Sequence, residues 1–168
     1  MHIQTERLII RPFTYADWRA LKVIVTDFSQ SEYAIYDHPF PQDDTGLQAA
    51  AEYFAGSGAF YAVCLRESNN MIGYLCLHPE GERFDLGYCF HSDFHGKGYA
   101  FESCSAAIQY MKNHGAKGFT AGTALKNEPS CRLLERLGFR CIGTKTVAFH
   151  KDSDGNDISF EGGSFVRP

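Results

Sequence analysis

Phe94-His95-Gly96-Lys97-Gly98-Tyr99-Ala100 is the stretch of this chain whose residue types and spacing best suit chemistry. Gly96 and Gly98 remove side chains where a backbone must approach something closely. A helix starting just after them points its unpaired N–H groups and the positive end of its dipole at the same place. Strand, Gly-rich turn and helix N-terminus together make a phosphate cradle, although Gly-x-Gly before a helix also serves as a plain tight turn. A dinucleotide fingerprint needs a third glycine and an acidic residue ~20 positions on, and neither is convincingly placed. A P-loop needs Gly-Lys-Ser/Thr, whereas Gly98 follows Gly96-Lys97. His91 and His95 have H-x-x-x-H spacing but lie in a turn without a third matched ligand, which argues against zinc. Asp152-Ser153-Asp154-Gly155-Asn156-Asp157 has its glycine misplaced for a calcium loop and reads as a hairpin turn.

The elements that must position this loop follow from hydrophobic period and turn residues. Arg7–Phe13 reads as a strand ended by Pro12. Thr14 with Asp17 opens a helix carrying Trp18, Leu21 and Val25, and Thr45 with Gln48 opens a second, closed by Gly56-Ser57-Gly58. The period then changes to that of strands. Phe60–Leu65 and Met71–Leu77 form a hairpin, and Phe84–Phe90 follows with an internal Gly87 of the kind that often marks a bulge. Phe101, Cys104, Ile108 and Met111 line one face of a helix ending near His114-Gly115. Lys117–Ala124 suits a strand, Asn127–Gly138 a short helix, and 139–149 with 158–166 a closing hairpin turned at Asp154-Gly155. The order β-α-α-β-β-β-α-β-α-β-β predicts an α/β (α+β) fold: a mixed, mostly antiparallel sheet of about seven strands with about four flanking helices.

At 168 residues the chain reads as one domain, 1–168. Hydrophobic content of 44% and charged content of 21% are those of an ordinary globular protein. A formal charge of −4 argues against direct nucleic-acid binding, leaves a local basic patch open, and suits a cationic small molecule or basic peptide terminus. Six cysteines without C-x-x-C spacing suggest reduced thiols and a reducing, cytoplasmic location. The polar N-terminal residues lack a signal h-region, and no apolar run approaches the ~20 residues of a membrane span, so no membrane partner is expected.

His95-Gly96-Lys97-Gly98-Tyr99-Ala100 resembles the acyl-coenzyme A pyrophosphate loop of the GNAT N-acetyltransferases, usually Gln/Arg-x-x-Gly-x-Gly/Ala. Three more segments resemble the branch that includes the ribosomal-protein N-terminal acetyltransferases: Thr5–Phe13, Asp85-Leu86-Gly87-Tyr88, and Asn127-Glu128-Pro129-Ser130 through Leu134–Phe139. They come in the family's order and span almost the whole chain.

The resemblance implies an acyl-CoA-dependent N-acetyltransferase (acyltransferase, EC 2.3.1 type) moving acetyl from acetyl-CoA to a primary amine, on a small molecule or a protein N-terminus. Attack is direct, through a tetrahedral intermediate, without metal. The amine (pKa ~8 for an α-amine, ~10 for lysine) must lose a proton, the oxyanion needs an N–H donor, and the thiolate (pKa ~8.5) takes only modest acid help. In this scheme Asp85, where relatives often carry Glu, accepts the ammonium proton through water. An N–H of Tyr88, Cys89 or Phe90 faces the acyl oxygen. His95, Gly96, Lys97, Gly98, Tyr99 and Ala100 hold the pyrophosphate, His95 departing from the usual Gln or Arg. Asn127 orders a water or the pantetheine arm, and Ser130 protonates the leaving thiolate, because 131–139 contain no tyrosine for that task. By type alone, Asp85 also suits an exposed strand carboxylate, Lys97 a solvated loop lysine, and Asn127 and Ser130 helix caps. Segment 14–58, with Trp18, Tyr33, Tyr36 and Phe40, flanks the acceptor, Trp18 packing in the core. The rival to an enzyme is a non-catalytic acyl-CoA-binding or sensing module. Edge strands near 139–166 leave a homodimer open.

Overall fold

The computed structural model describes all residues, Met1–Pro168. Its elements are β1 (Ile3–Gln4), β2 (Leu8–Pro12), α1 (Trp18–Ser29), α2 (Asp44–Ser57), β3 (Phe60–Leu65), β4 (Met71–Glu80), β5 (Arg83–Phe90), α3 (Tyr99–Asn113), β6 (Gly118–Ala124), α4 (Glu128–Arg136), β7 (Arg140–Lys151) and β8 (Asp157–Arg167). The sheet has eight strands in the order β1-β2-β3-β4-β5-β6-β8-β7, one more than the sequence suggests. The extra strand, β1, is a two-residue pairing with Ile9 and Ile10, too short to carry a hydrophobic period. Every pairing is antiparallel except β5 with β6.

Alternation along the strands sends successive side chains to opposite faces, and each face has its own core. Leu21, Ile24 and Val25 of α1 and Leu47, Ala51 and Phe54 of α2 pack on Phe60, Ala62, Cys64, Tyr74 and Cys76. On the other face Cys104, Ala107 and Ile108 of α3 and Leu134 of α4 cover Leu8, Ile10, Leu75, Leu77, Leu86 and Phe119.

Local chemistry explains the boundaries. Asp17 accepts from the Thr14 N–H at 2.8 Å and the Thr14 hydroxyl at 2.9 Å, and pairs with Arg11 at 2.7 Å, which sets the turn into α1. The Arg11 guanidinium and the Thr14 donors together outweigh desolvation and hold the Asp17 carboxyl below its usual range. The second helix begins before Thr45, because the Asp43 carboxylate accepts from the Gly46 N–H at 2.8 Å and caps it. Gly58 ends it in the left-handed region, φ 70°. No bulge occurs at Gly87, which pairs in register with Cys76; the shifts fall at Val63/Cys64, Cys141/Gly143 and Ala148/His150.

β5 and β6 pair only through Arg83–Gly118, Phe84–Phe119 and Asp85–Thr120. Beyond that they part: β5 stays on β4 to Phe90, and β6 stays on β8 to Ala124. Phe119, fully buried beside the point of divergence, anchors the pair. Phe119→Ala should cost about 3–5 kcal/mol in urea unfolding, while Val23→Ala, at a site 57% exposed, should change stability by less than about 0.5 kcal/mol.

Candidate active site

The parting of β5 from β6 leaves a V-shaped cleft whose wall is the outer edge of β5. The His91 N–H donates to the Ile72 carbonyl on β4 at 3.0 Å, which fixes the direction of every backbone group on β5 by alternation. The N–H groups of Cys89 and Gly87 therefore turn toward β4, and those of Tyr88 and Phe90 turn into the cleft. This narrows the three backbone donors considered from sequence to Tyr88 and Phe90, with Cys89 facing the wrong way. The Cys89 side chain packs on the α1–α2 side, and burial pushes its thiol up to about 12.

At the cleft's closed end stands Asp85, half-buried on β5 opposite His78 of β4 and Thr120 of β6. The Thr120 hydroxyl lies 3.2 Å from its Oδ1 and 2.8 Å from Glu80 Oε2. Desolvation first, and the neighbouring Glu80 charge second, raise the Asp85 carboxyl above the ordinary aspartate range. Such a carboxylate is a better proton acceptor than an exposed one.

Asn127 and Ser130 begin α4, across the cleft from β5. The Asn127 side chain accepts from the Ser130 N–H at 3.3 Å, so Asn127 caps the helix. The Ser130 hydroxyl lies 2.8 Å from the Tyr88 hydroxyl. The sequence suggests for Tyr88 a backbone role and a packing side chain, yet its phenol spans the cleft to α4, and burial pushes that phenol well up. A contact over 42 residues leaves no trace in local spacing.

At the open end, β5 runs into the glycine loop. Gly96 and Gly98 both have positive φ, 69° and 83°, which turn the chain into α3. The N–H groups of Gly96, Lys97, Gly98, Tyr99, Ala100 and Phe101 find no backbone acceptor; the first intrahelical bond is Glu102 N–H to Gly98. Six free donors at a helix N-terminus fit a pyrophosphate. His95 serves the loop's shape, because its Nε2 donates to the Phe90 carbonyl at 2.8 Å. The Lys97 ammonium donates to the Asp93 carbonyl at 2.8 Å.

The loop is also held from behind by a residue to which the sequence assigned no role. Arg7, just before β2, donates from Nε to Glu102 Oε2 at 2.7 Å and from Nη1 to the Lys97 carbonyl at 2.9 Å, and lies 4.4 Å from the Tyr99 ring centroid. Its N–H and the Thr5 hydroxyl bond Glu102 Oε1. These donors hold the Glu102 carboxyl below its usual range against desolvation. Thr5 and Arg7 thus form one clamp on the first turn of α3.

On the α1–α2 side, a turn at Ala34–Tyr36 packs on the β7–β8 hairpin. The His150 Nε2 donates to the carbonyls of Ala34 at 3.1 Å and Asp37 at 2.8 Å, and the Tyr36 ring meets Phe160 at 5.0 Å. Asp37 ends this turn, and desolvation raises its carboxyl above the ordinary aspartate range. Trp18 and Phe40 pack against the α1–α2 core, while Tyr33 lies 6.5 Å from Tyr36.

Residues 7–140 match the acetyltransferase (GNAT) domain family. The chain is 31% identical over 147 residues to an uncharacterized N-acetyltransferase, YnaD, of Bacillus subtilis, covering 85% of each. It is similar to a GNAT-family acetyltransferase structure from Bacillus anthracis, with TM-score 0.83, 25% identity and coverage of 99% and 97% of the two chains. It shares the fold of a Salmonella typhimurium acetyltransferase that modifies the N-terminal serine of ribosomal protein L7/L12, with TM-score 0.81, 17% identity and coverage of 99% and 98%. A parted parallel strand pair, a glycine loop with free amides and a match over most of the chain lead to one conclusion: this protein belongs to the GNAT acetyltransferases, which use acetyl-CoA as donor.

Proposed function

We propose that this chain is a single catalytic domain that transfers acetyl from acetyl-CoA to a primary amine by direct attack, with Asp85 as proton acceptor. The observation that carries the reading is the half-buried Asp85 carboxylate, raised by desolvation, at the closed end of a cleft whose wall offers the Tyr88 and Phe90 N–H groups. Acetyl-CoA supplies an activated thioester carbonyl. The loop donors from Gly96 to Phe101 anchor its pyrophosphate, Lys97 adds a positive charge beside them, and Asn127 shapes the start of α4. The Tyr88 or Phe90 N–H meets the carbonyl oxygen as charge builds there. Asp85 takes the ammonium proton, through water because its side chain is short. Ser130 donates a proton toward the departing sulfur, with the Tyr88 hydroxyl behind it.

The acidic balance of −4 and the exposed Asp37 on the acceptor side favour a cationic acceptor. The Salmonella neighbour's modification of a protein N-terminus supports including peptide N-termini beside small amines. Thiol release from acetyl-CoA across a panel of peptides and small amines tests the function. Acceptor-dependent release is expected; coenzyme A binding without release for any amine would favour a non-catalytic binding module.

Asp85→Asn should lower kcat/KM by ~10²-fold, within the range of general-base losses. A carboxyl raised in the fold binds its proton more tightly folded than unfolded, so stability is lost as pH rises through its range. The variant should therefore melt no lower than the parent protein at pH 7, which separates a lost base from a lost fold. Wild-type kcat/KM should fall toward acid pH along a limb lying above the ordinary aspartate range. Ser130→Ala should reduce kcat by about tenfold or less, because a thiolate of pKa ~8.5 leaves readily. Arg7→Ala should raise KM for acetyl-CoA by about tenfold, the scale of a lost charge-assisted contact, with a much smaller change in kcat. Arg7→Lys, which cannot reproduce the fork, should restore only part of it.

A further inference from the structure

A second cluster of charge lies at the opposite end of β5 from the glycine loop. Arg83 at the start of β5, Lys117 just before β6, Arg140 at the start of β7 and Arg167 at the end of β8 line one cavity of about 130 Å³ with Val166 and Pro168. The sheet order brings them together, because Arg83 pairs with Gly118 and Arg140 pairs with Val166. Buried Gly118 has no side chain to fill the space, so the Arg83 chain lies across it, and the Arg167 chain lies over Gly138.

None of these four cations is ion-paired with a carboxylate. Glu80, directly across the β4–β5 hairpin from Arg83, is engaged by the Thr120 hydroxyl instead. Four like charges on one small concavity repel one another, in a chain whose net charge is −4, and nothing in the proposed acetyl-transfer chemistry uses them. β5 is eight residues long, so the cavity stands roughly 26 Å from the pyrophosphate loop at ~3.3 Å per residue.

We propose that this cavity is an anion site separate from the acetyl-CoA site, taking one compact oxyanion of the phosphate class. Three arginines from three strands and one lysine line a space of about 130 Å³, and their forked and single-point donors suit a dianion with several acceptor oxygens. The ion relieves the repulsion among the four cations, so it stabilises the folded chain by mass action.

The test titrates inorganic phosphate into the full chain saturated with coenzyme A, at constant ionic strength against chloride, reading thermal stability and the ³¹P resonance. Saturation removes the glycine loop as a competing site. Phosphate should stabilise the wild type beyond chloride, and Arg83→Gln/Arg140→Gln should weaken binding by at least about tenfold. Lys117→Gln serves as a second, milder variant, with a smaller loss expected. A parallel titration with phosphoserine separates a free ion from a phosphoryl group borne on another molecule, and tighter binding of either supports the site. Binding that vanishes when coenzyme A is present, or that the double variant and Lys117→Gln both retain in full, would overturn the proposal.

Discussion

Beyond Asp85 and Thr120, β5 has no neighbour on its outer edge, and the site is arranged around that missing strand. A backbone amide without a partner costs ~1–3 kcal/mol when sealed from water, so such an edge persists only where solvent or a ligand reaches it. The Tyr88 and Phe90 N–H groups lie on this edge and find no backbone partner there. In the proposed function, a donor molecule with amides of its own takes the place of the absent strand, its carbonyl meeting the Tyr88 or Phe90 N–H. Asp85 sits at the last position at which β5 and β6 pair.

Holding an edge open requires rigidity elsewhere. The two cores supply it by clamping β4 and β5 from both faces, with Leu86 and Phe90 buried on one side and Tyr74 and Cys76 on the other. The glycine loop has the opposite problem, since two positive-φ glycines give it freedom that the proposed phosphate cradle must lose. Arg7 and Thr5 remove that freedom through Glu102, and His95 ties the loop's first residue to the end of β5. The turn between β1 and β2 is therefore joined to the loop by charge-assisted contacts.

The chain order of strands and helices was legible in the sequence because hydrophobic period and turn residues are local signals. The glycine loop and Asp85 could be singled out as candidates for a similar reason, each lying within a short motif. What escaped was contact at long range. Arg7 and Glu102 are 95 residues apart, and Tyr88 and Ser130 are 42 apart, so no spacing rule joins them. β1 escaped through its two-residue length, and the start of α2 was misplaced because Asp43 competed with Thr45 for the cap. The departure of His95 from the usual Gln or Arg was visible in the motif, but the partner of its ring, the Phe90 carbonyl, was not. The four cations at the sheet's other end were invisible in sequence because each sits on a different element.

Amide chemical shifts during a coenzyme A titration bear most directly on the claim that free loop and cleft donors hold the donor molecule. Large, saturable shifts are expected at Gly96, Lys97, Gly98, Tyr99, Tyr88 and Phe90, with the Cys89 amide moving far less. Shifts centred elsewhere, or a Cys89 amide that moves more than those of Tyr88 and Phe90, would contradict it.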